Sequence, residues 1–228
     1  MIDIHSHILP GVDDGSPNLE ESIRMAWIAA RSGTSCIVAT PHFNIPGEWE
    51  DPERIRAAYQ ELTMELSRQQ IPLQLRLGME IFGTEDAPQR LMDQELWGYE
   101  GTQYILIEFD FDENPDTVFR FVQRDPEMVY EWRMRGYGAQ VNKGSLMGRF
   151  GRGPEETSHA LVARSLVTMV ASDAHSSRMR TPDMREVWDM LSAEYAPHVA
   201  QRLMQDNPAH ILRGEPFEPG HPKSFFER

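Results

Sequence analysis

Short apolar runs alternate with amphipathic stretches along the whole chain. The stretches carry apolar residues at helical spacing, as Ile23, Ala26 and Ala30 do in the first of them. An alternation of strands and helices is typical of an α/β fold with a parallel sheet and crossover connections. Six apolar runs are predicted to be strands, at residues 2–5, 36–39, 73–77, 104–107, 137–141 and 167–171.

Local signals predict where the helices begin and end. Ser16-Pro17 reads as the N-cap and first position of the first helix, and Gly33 as its end. Asp51-Pro52 opens a second helix, and Asp125-Pro126-Glu127 opens a later one that runs to Met134. Because no linker or internal repeat interrupts the pattern, residues 1–228 are interpreted as a single domain.

Histidine and acidic side chains occur where the predicted strands end. His5 and His7 are two positions apart and project from one face of a strand, and Asp173 and His175 repeat that spacing. In a closed β/α barrel such strand ends converge on one mouth, whereas an open sheet spreads them along a line. If these side chains form one site, the closed barrel is therefore favoured over the open sheet. The candidate set is His5, His7, Asp13 or Asp14, His42, Glu80, Glu108, Asp173 and His175.

The residue types of this set indicate a metal centre. Mixed imidazole and carboxylate ligands suit Mn²⁺, Fe²⁺ or Zn²⁺, and no thiolate biases the site toward a softer metal. Eight ligands exceed the need of one ion, so two or three ions with a bridging carboxylate are expected. Simpler interpretations exist for single members. His5 and His7 would also suit a surface pair beside a turn, and His42 an ordinary loop.

Composition narrows the class of partner and the compartment. The formal charge of −14 argues against a nucleic-acid surface, which is normally basic. No run approaches the ~20 apolar residues of a membrane span, and a strand that opens at residue 2 leaves no room for a signal peptide. The lone cysteine, Cys36, lies in an apolar run and is predicted to be a core residue rather than a nucleophile. A cytoplasmic location fits this cysteine usage.

Six segments resemble the polymerase and histidinol phosphatase (PHP) superfamily, and more closely its bacterial manganese-dependent protein-tyrosine phosphatases of the CpsB/YwqE type. The resemblance implies a distorted, TIM-like (β/α)7 barrel with a trinuclear metal centre. It also implies hydrolysis of phosphotyrosine by a metal-activated hydroxide, on an autophosphorylating bacterial tyrosine kinase of capsule or exopolysaccharide synthesis. The segments are MIDIHSHILPGVDDG, IVATPHF, Gly78-Met79-Glu80, YILIEFDF, QVNKGSLMGRFG and ASDAHS.

Carried over residue by residue, the resemblance implies three metal positions and chooses Asp14 over Asp13. Arg180, seven residues after Asp173, matches a family arginine that faces the phosphate. A solvated loop charge is the simpler interpretation of Arg180, and Arg178 is the substitute candidate. The implied ligands are His5, His7, Glu80 and Asp173 for the first ion, Glu80 and Glu108 for the second, and Asp14, His42 and His175 for the third.

One part of the family pattern is missing. The family has a strand that ends in His-Pro-Glu-Arg, whose histidine completes the second metal site. No such motif occurs here, and no histidine lies between His42 and His159. One strand–helix unit is therefore expected to be absent around residues 110–136. Either the protein truly lacks this unit, or the sequence omits a segment there. The continuous sequence favours a true deletion. We expect a second metal site short of an imidazole and weakened activity.

Two other functions would use nearly the same residues. A related phosphoesterase that acts on a small phosphomonoester such as histidinol phosphate needs the same ligands, although the segment QVNKGSLMGRFG favours the tyrosine phosphatases. A relative that binds the kinase but has lost catalysis with the missing strand is the third interpretation.

Overall fold

The computed structural model describes residues 1–48, 51–108 and 126–227. Its strands are short, and those that pair do so in parallel. In chain order the strands are Ile2–Ser6 (β1), Cys36–Ala39 (β2), His42–Phe43 (β3), Gln74–Leu77 (β4), Glu80–Phe82 (β5), Leu106–Glu108 (β6), Gln140–Asn142 (β7) and Met169–Ala171 (β8).

Helices connect most of these strands, which confirms the predicted α/β class. A π-helical turn, Arg202–Asp206, lies between the last two helices. The helices are Leu19–Ser32 (α1), Pro52–Arg68 (α2), Ala87–Met92 (α3), Glu127–Met134 (α4), Lys143–Leu146 (α5), Arg152–Ala163 (α6), Arg185–Glu194 (α7), Pro197–Gln201 (α8) and Asn207–Leu212 (α9).

Strand β1 lies between β2 and the segment that follows β8. On one side it pairs with β2, which pairs in turn with β4. On the other side it meets the segment after β8, where the Asp173 N–H donates to His5 O at 3.0 Å and the His7 N–H donates to Ala174 O at 2.8 Å. Strands β3, β5 and β6 form a second sheet, and β7 and β8 form a third. Within the described ranges the three sheets do not close into a barrel, so the (β/α)7 barrel stays a prediction.

Two candidate ligands lie on strands that the apolar pattern did not predict. His42 and Glu80 were expected to follow the strands at residues 36–39 and 73–77, but they begin β3 and β5 and lie opposite each other in that parallel pair. The interruption before β3 has a local cause, since Pro41 has no N–H to donate to a strand ladder. Before β5, a Cβ on Gly78 would lie 3.1 Å from the Tyr99 ring, so a larger residue there would require the ring to shift slightly.

The predicted start of the first helix is wrong by two residues. Asn18, not Ser16, caps α1, because its extended backbone lets Oδ1 accept from the Glu21 N–H at 3.0 Å. Ser16 is buried instead, and its Oγ lies 2.8 Å from Ser22 Oγ. The predicted end is confirmed, since Gly33 adopts a φ of 96° that favours glycine.

Cys36 is buried in β2, as its apolar neighbours predicted, and it is 6% exposed. Burial raises the pKa of its thiol to about 11, so about one thousandth is thiolate at pH 8. We expect iodoacetamide to alkylate native Cys36 slowly at pH 8. The rate should rise about tenfold for each unit by which the pH is increased, as long as the pH stays below the pKa. Intact mass measures the reaction. The urea-unfolded protein is the control, and equal rates in the two states would contradict the expectation.

The part of the chain that the structure describes contains no helix long and apolar enough to cross a membrane. The strand–helix unit predicted to be missing around residues 110–136 falls largely on residues 109–125, which lie outside the described residues. The helix predicted to run to Met134 is confirmed as α4.

Candidate metal centre

Two buried histidines project from the C-terminal end of β1. His5 Nε2 and His7 Nε2 lie 3.2 Å apart. The chain after β1 folds back over them, because the Ser16 N–H donates to His7 O at 3.0 Å. A Cβ on Gly15 would lie 2.2 Å from that same oxygen, so this turn requires glycine. The glycine-rich stretch of the sequence thus packs against the histidine pair from behind.

The adjacent aspartates of this turn take different positions. The His7 Nδ1–H donates to Asp13 Oδ2 at 2.7 Å, and the Asp13 side chain is 6% exposed. Asp14 is 66% exposed, and its Oδ1 lies 3.4 Å from His42 Nε2 and 3.3 Å from His175 Nε2. The structure therefore brings Asp14 into the cluster and leaves Asp13 behind His7. The role of Asp14 as a metal ligand, which the family pattern implied, stays a prediction.

Glu80 lies at the centre of the cluster. Its Oε1 is 3.1 Å from His5 Nε2, and its Oε2 is 3.2 Å from His7 Nε2 and 3.1 Å from His42 Nδ1. On the opposite side of the ring, His42 Nε2 faces Asp14. His42 Nδ1 also lies 3.3 Å from Glu108 Oε2. His42, which the resemblance assigned to the third ion alone, thus faces both Glu80 and Glu108.

Asp173 approaches the histidine pair from the end of β8. Its Oδ1 lies 3.6 Å from both His5 Nε2 and His7 Nε2. Its Oδ2 accepts from Asn142 Nδ2 at 2.6 Å and from the guanidinium of Arg180. Arg180, predicted to face the phosphate, is therefore anchored to a carboxylate of the cluster, and its side chain stays 40% exposed at the edge.

The predicted residues meet in three overlapping groups of ligand atoms. Within each group the atoms lie within 4.8 Å of one another. Asp173 lies outside these groups but beside the first two histidines. The groups are His5, His7 and Glu80; His42, Glu80 and Glu108; and His7, Asp14, His42 and His175.

Opposite charges dominate the electrostatics of the cluster. Burial would lower the pKa of His42, but the facing carboxylates, Asp14 first among them, raise it to about 12. Burial likewise opposes protonation of His7, yet Asp13 and Glu80 raise its pKa to about 9. Burial disfavours an ionised Glu80, but the surrounding imidazoles hold the pKa of its carboxyl well below its usual range. The carboxylates of this site therefore attract positive charge strongly.

The spacing of these atoms fits bound metal ions. Nitrogen and oxygen ligands at about 2.1 Å from an ion lie about 3.0–3.4 Å from each other, and the contacts around Glu80 span 3.1–3.3 Å when the His42–Glu108 pair is included. Glu80 Oε2 is buried and makes no hydrogen bond of normal geometry with the described residues, although two imidazole nitrogens face it. A buried carboxylate oxygen in that position is suited to coordinate a cation.

Three polar residues lie behind the ligands; two of them were not predicted as part of the site, and the third, Asp13, was considered only as the alternative to Asp14. Asp13 contacts His7, and Gln140 and Asn142 of β7 contact His5 and Asp173. The sequence offered two weak signals for them. Asp13 adjoins a candidate ligand, and Gln140 and Asn142 are two positions apart in a strand and therefore share a face.

Comparison with known proteins places this cluster in a family. The family described as "Capsular polysaccharide synthesis, CpsB/CapC" matches residues 1–125 and 118–213. The chain belongs to the CpsB/CapC family. Its relatives include the tyrosine-protein phosphatase YwqE of Bacillus subtilis (strain 168), 33% identical over 236 residues, which cover 94% of this chain and 92% of YwqE. The tyrosine-protein phosphatase CpsB of Streptococcus pneumoniae is 28% identical over 239 residues, which cover 93% of this chain and 98% of CpsB.

The fold is also shared with this family. A chain among the crystal structures of YwqE from Bacillus subtilis and CpsB from Streptococcus pneumoniae matches with a TM-score of 0.89 and 31% sequence identity, covering 100% of both chains. Those proteins are described as unique metal-dependent tyrosine phosphatases. The family resemblance that the sequence motifs indicated is thereby confirmed.

Proposed function

We propose that this protein is a metal-dependent protein-tyrosine phosphatase. The observation that carries the proposal is the convergence of histidine and carboxylate atoms around Glu80, in a chain whose relatives are named tyrosine-protein phosphatases. The substrate class follows from those relatives. A phosphotyrosine protein, and specifically an autophosphorylating bacterial tyrosine kinase of capsule or exopolysaccharide synthesis, is the partner that we propose.

In this proposal the ligand assignment is the one that the sequence motifs implied. Bound Mn²⁺, with Fe²⁺ or Zn²⁺ as alternatives, would supply Lewis-acid charge for the phosphoryl oxygens and lower the pKa of a water molecule. Asp14, which is 66% exposed, is the most accessible of the proposed ligands, and we propose that the phosphate approaches from its side. Cys36 is not proposed as a nucleophile, because it is buried in β2 and burial raises the pKa of its thiol.

Arg180 would bind the phosphate while it remains beside Asp173. Arg180→Lys keeps the charge but loses the planar fork, and Arg180→Ala loses both. We expect kcat/KM for p-nitrophenyl phosphate to fall about 100-fold in the alanine variant and about tenfold in the lysine variant. Because Arg180 also holds Asp173, bound Mn²⁺ is measured in parallel. Arg178→Ala is the control, and a larger loss in that variant would transfer the role to Arg178.

One comparison of substrates tests the function. The Mn²⁺-loaded protein is assayed with a phosphotyrosine peptide, the matching phosphoserine peptide and histidinol phosphate. We expect the highest kcat/KM with phosphotyrosine, complete loss on chelation and recovery with Mn²⁺. A preference for histidinol phosphate would favour a phosphoesterase of small molecules. Peptide binding without turnover at saturating Mn²⁺ would favour a relative that has lost catalysis.

The architecture around the site is part of the same proposal. We propose a single domain built as a distorted (β/α)7 barrel, supported by the convergence of strand-end side chains on Glu80. The lone buried thiol of Cys36 supports a cytoplasmic location. The expected shortage of an imidazole in the second metal site stays a prediction, since it concerns residues 109–125.

A further inference from the structure

Strand β7 supplies no proposed ligand, but its side chains contact two ligands from behind. Gln140 Nε2 lies 2.7 Å from His5 Nδ1 and 3.1 Å from Asn142 Oδ1. Asn142 Nδ2 donates to Asp173 Oδ2 at 2.6 Å. The two amides therefore link a ligand of β1 to a ligand after β8.

The contact between Gln140 and His5 conflicts with metal binding by His5. His5 directs Nε2 into the cluster, 3.1 Å from Glu80 Oε1. An imidazole that coordinates through Nε2 carries its proton on Nδ1, and this N–H needs an acceptor. The amide nitrogen of Gln140 is a donor, so two N–H groups would face each other across 2.7 Å.

The other end of the same amide lacks a partner. Gln140 Oε1 is buried and has no hydrogen-bond donor among the described residues. An unpaired buried carbonyl is unfavourable. A half-turn of the amide about its last side-chain bond would bring Oε1 to His5 Nδ1–H. It would also replace the hydrogen bond from Nε2 to Asn142 Oδ1 by a contact between two acceptors, which a shift of the Asn142 side chain would have to relieve. Two separate observations thus favour the same rearrangement.

We propose that Gln140 is a positioning residue of the metal centre: in the loaded protein its Oε1 accepts from His5 Nδ1–H and so directs Nε2 to the metal. Asp13 holds His7 in the same way, since its carboxylate accepts from His7 Nδ1–H at 2.7 Å. Each histidine of β1 and its following turn thus has an acceptor behind it. The inference rests on the proposed metal centre and adds the residue that sets the tautomer of His5.

Two variants of similar size separate an acceptor from a space-filling residue. Gln140→Glu keeps an acceptor, and Gln140→Met removes it. We expect the Mn²⁺ dissociation constant, from an electron paramagnetic resonance titration, to rise about 10- to 100-fold in Gln140→Met and to stay near or below the wild-type value in Gln140→Glu. A role in packing alone predicts the reverse order, because a buried carboxylate is costly without a donor.

A direct readout of the tautomer accompanies the titration. In the zinc-loaded protein, which is diamagnetic, long-range ¹H–¹⁵N correlation spectra should show the His5 proton on Nδ1 in wild type and in Gln140→Glu. If Gln140→Met does not fold, the wild-type spectrum decides, and a proton on His5 Nε2 overturns the inference. Unfolding of the metal-free variants by heat reports whether each is folded.

Matched controls come from a distant glutamine. Gln103 Nε2 donates to Gly214 O at 2.9 Å on the surface, so Gln103→Met and Gln103→Glu should leave the dissociation constant unchanged. Equal Mn²⁺ affinity of Gln140→Met and wild type would overturn the role of Gln140. If the wild-type protein itself bound no Mn²⁺, the proposed metal centre would fail instead.

Discussion

Replacing Glu80 with glutamine is expected to lower kcat/KM for a phosphotyrosine peptide by about 10³-fold or more and to reduce the bound metal. The carboxylate faces His5, His7 and His42 at 3.1–3.2 Å, so it serves two of the three groups of ligand atoms at once. Glutamine has nearly the same shape but no charge, and its amide nitrogen cannot coordinate a cation. The substitution therefore removes the charge and one of the two ligand oxygens without opening a cavity.

Two measurements together identify the cause of that loss. Metal content by mass spectrometry and steady-state kinetics are compared with those of Glu100→Gln, in which a surface carboxylate paired with Arg56 is lost by the same chemical change. We expect Glu100→Gln to behave as wild type. Full metal occupancy and normal turnover in Glu80→Gln would refute the central position of Glu80 in the metal centre.

Removing the metal is expected to lower the melting temperature by about 10 °C. One ion present at a thousand times its dissociation constant stabilises the native state by about 4 kcal/mol. In a protein of this size each kcal/mol shifts the melting temperature by about 2–4 °C. Calorimetry with Mn²⁺, then with a chelator, then with Mn²⁺ restored measures the effect.

Magnesium provides the control for this experiment. Mg²⁺ prefers oxygen ligands, whereas Mn²⁺ accepts the imidazoles that make up half of the proposed set. We expect Mg²⁺ at the same concentration to raise the melting temperature less than Mn²⁺. A melting temperature that stays constant after verified removal of all bound metal would rule out a stabilising centre.

Elements with strong local signals were predicted well. The apolar run at β2 and the glycine that ends α1 were both found where the sequence indicated them, because an apolar run and a glycine after a helix are signals carried by a few consecutive residues. Asn18 shows the limit of that reasoning. Ser16-Pro17 is an equally good start signal, and the helix begins later because Ser16 is buried against Ser22.

The candidate site shows more clearly which features follow from neighbouring residues and which depend on residues far apart in the sequence. The amino-acid sequence by itself determined which residue types follow the strands, and the motifs around His5 and Asp173 indicated the family and a metal centre. Only the tertiary structure decided that Asp13 lies behind His7 while Asp14 faces His42 and His175, and that Gln140 lies against His5. Side-chain periodicity is a property of a few consecutive residues, whereas the atom that a ligand faces depends on how distant strands are aligned.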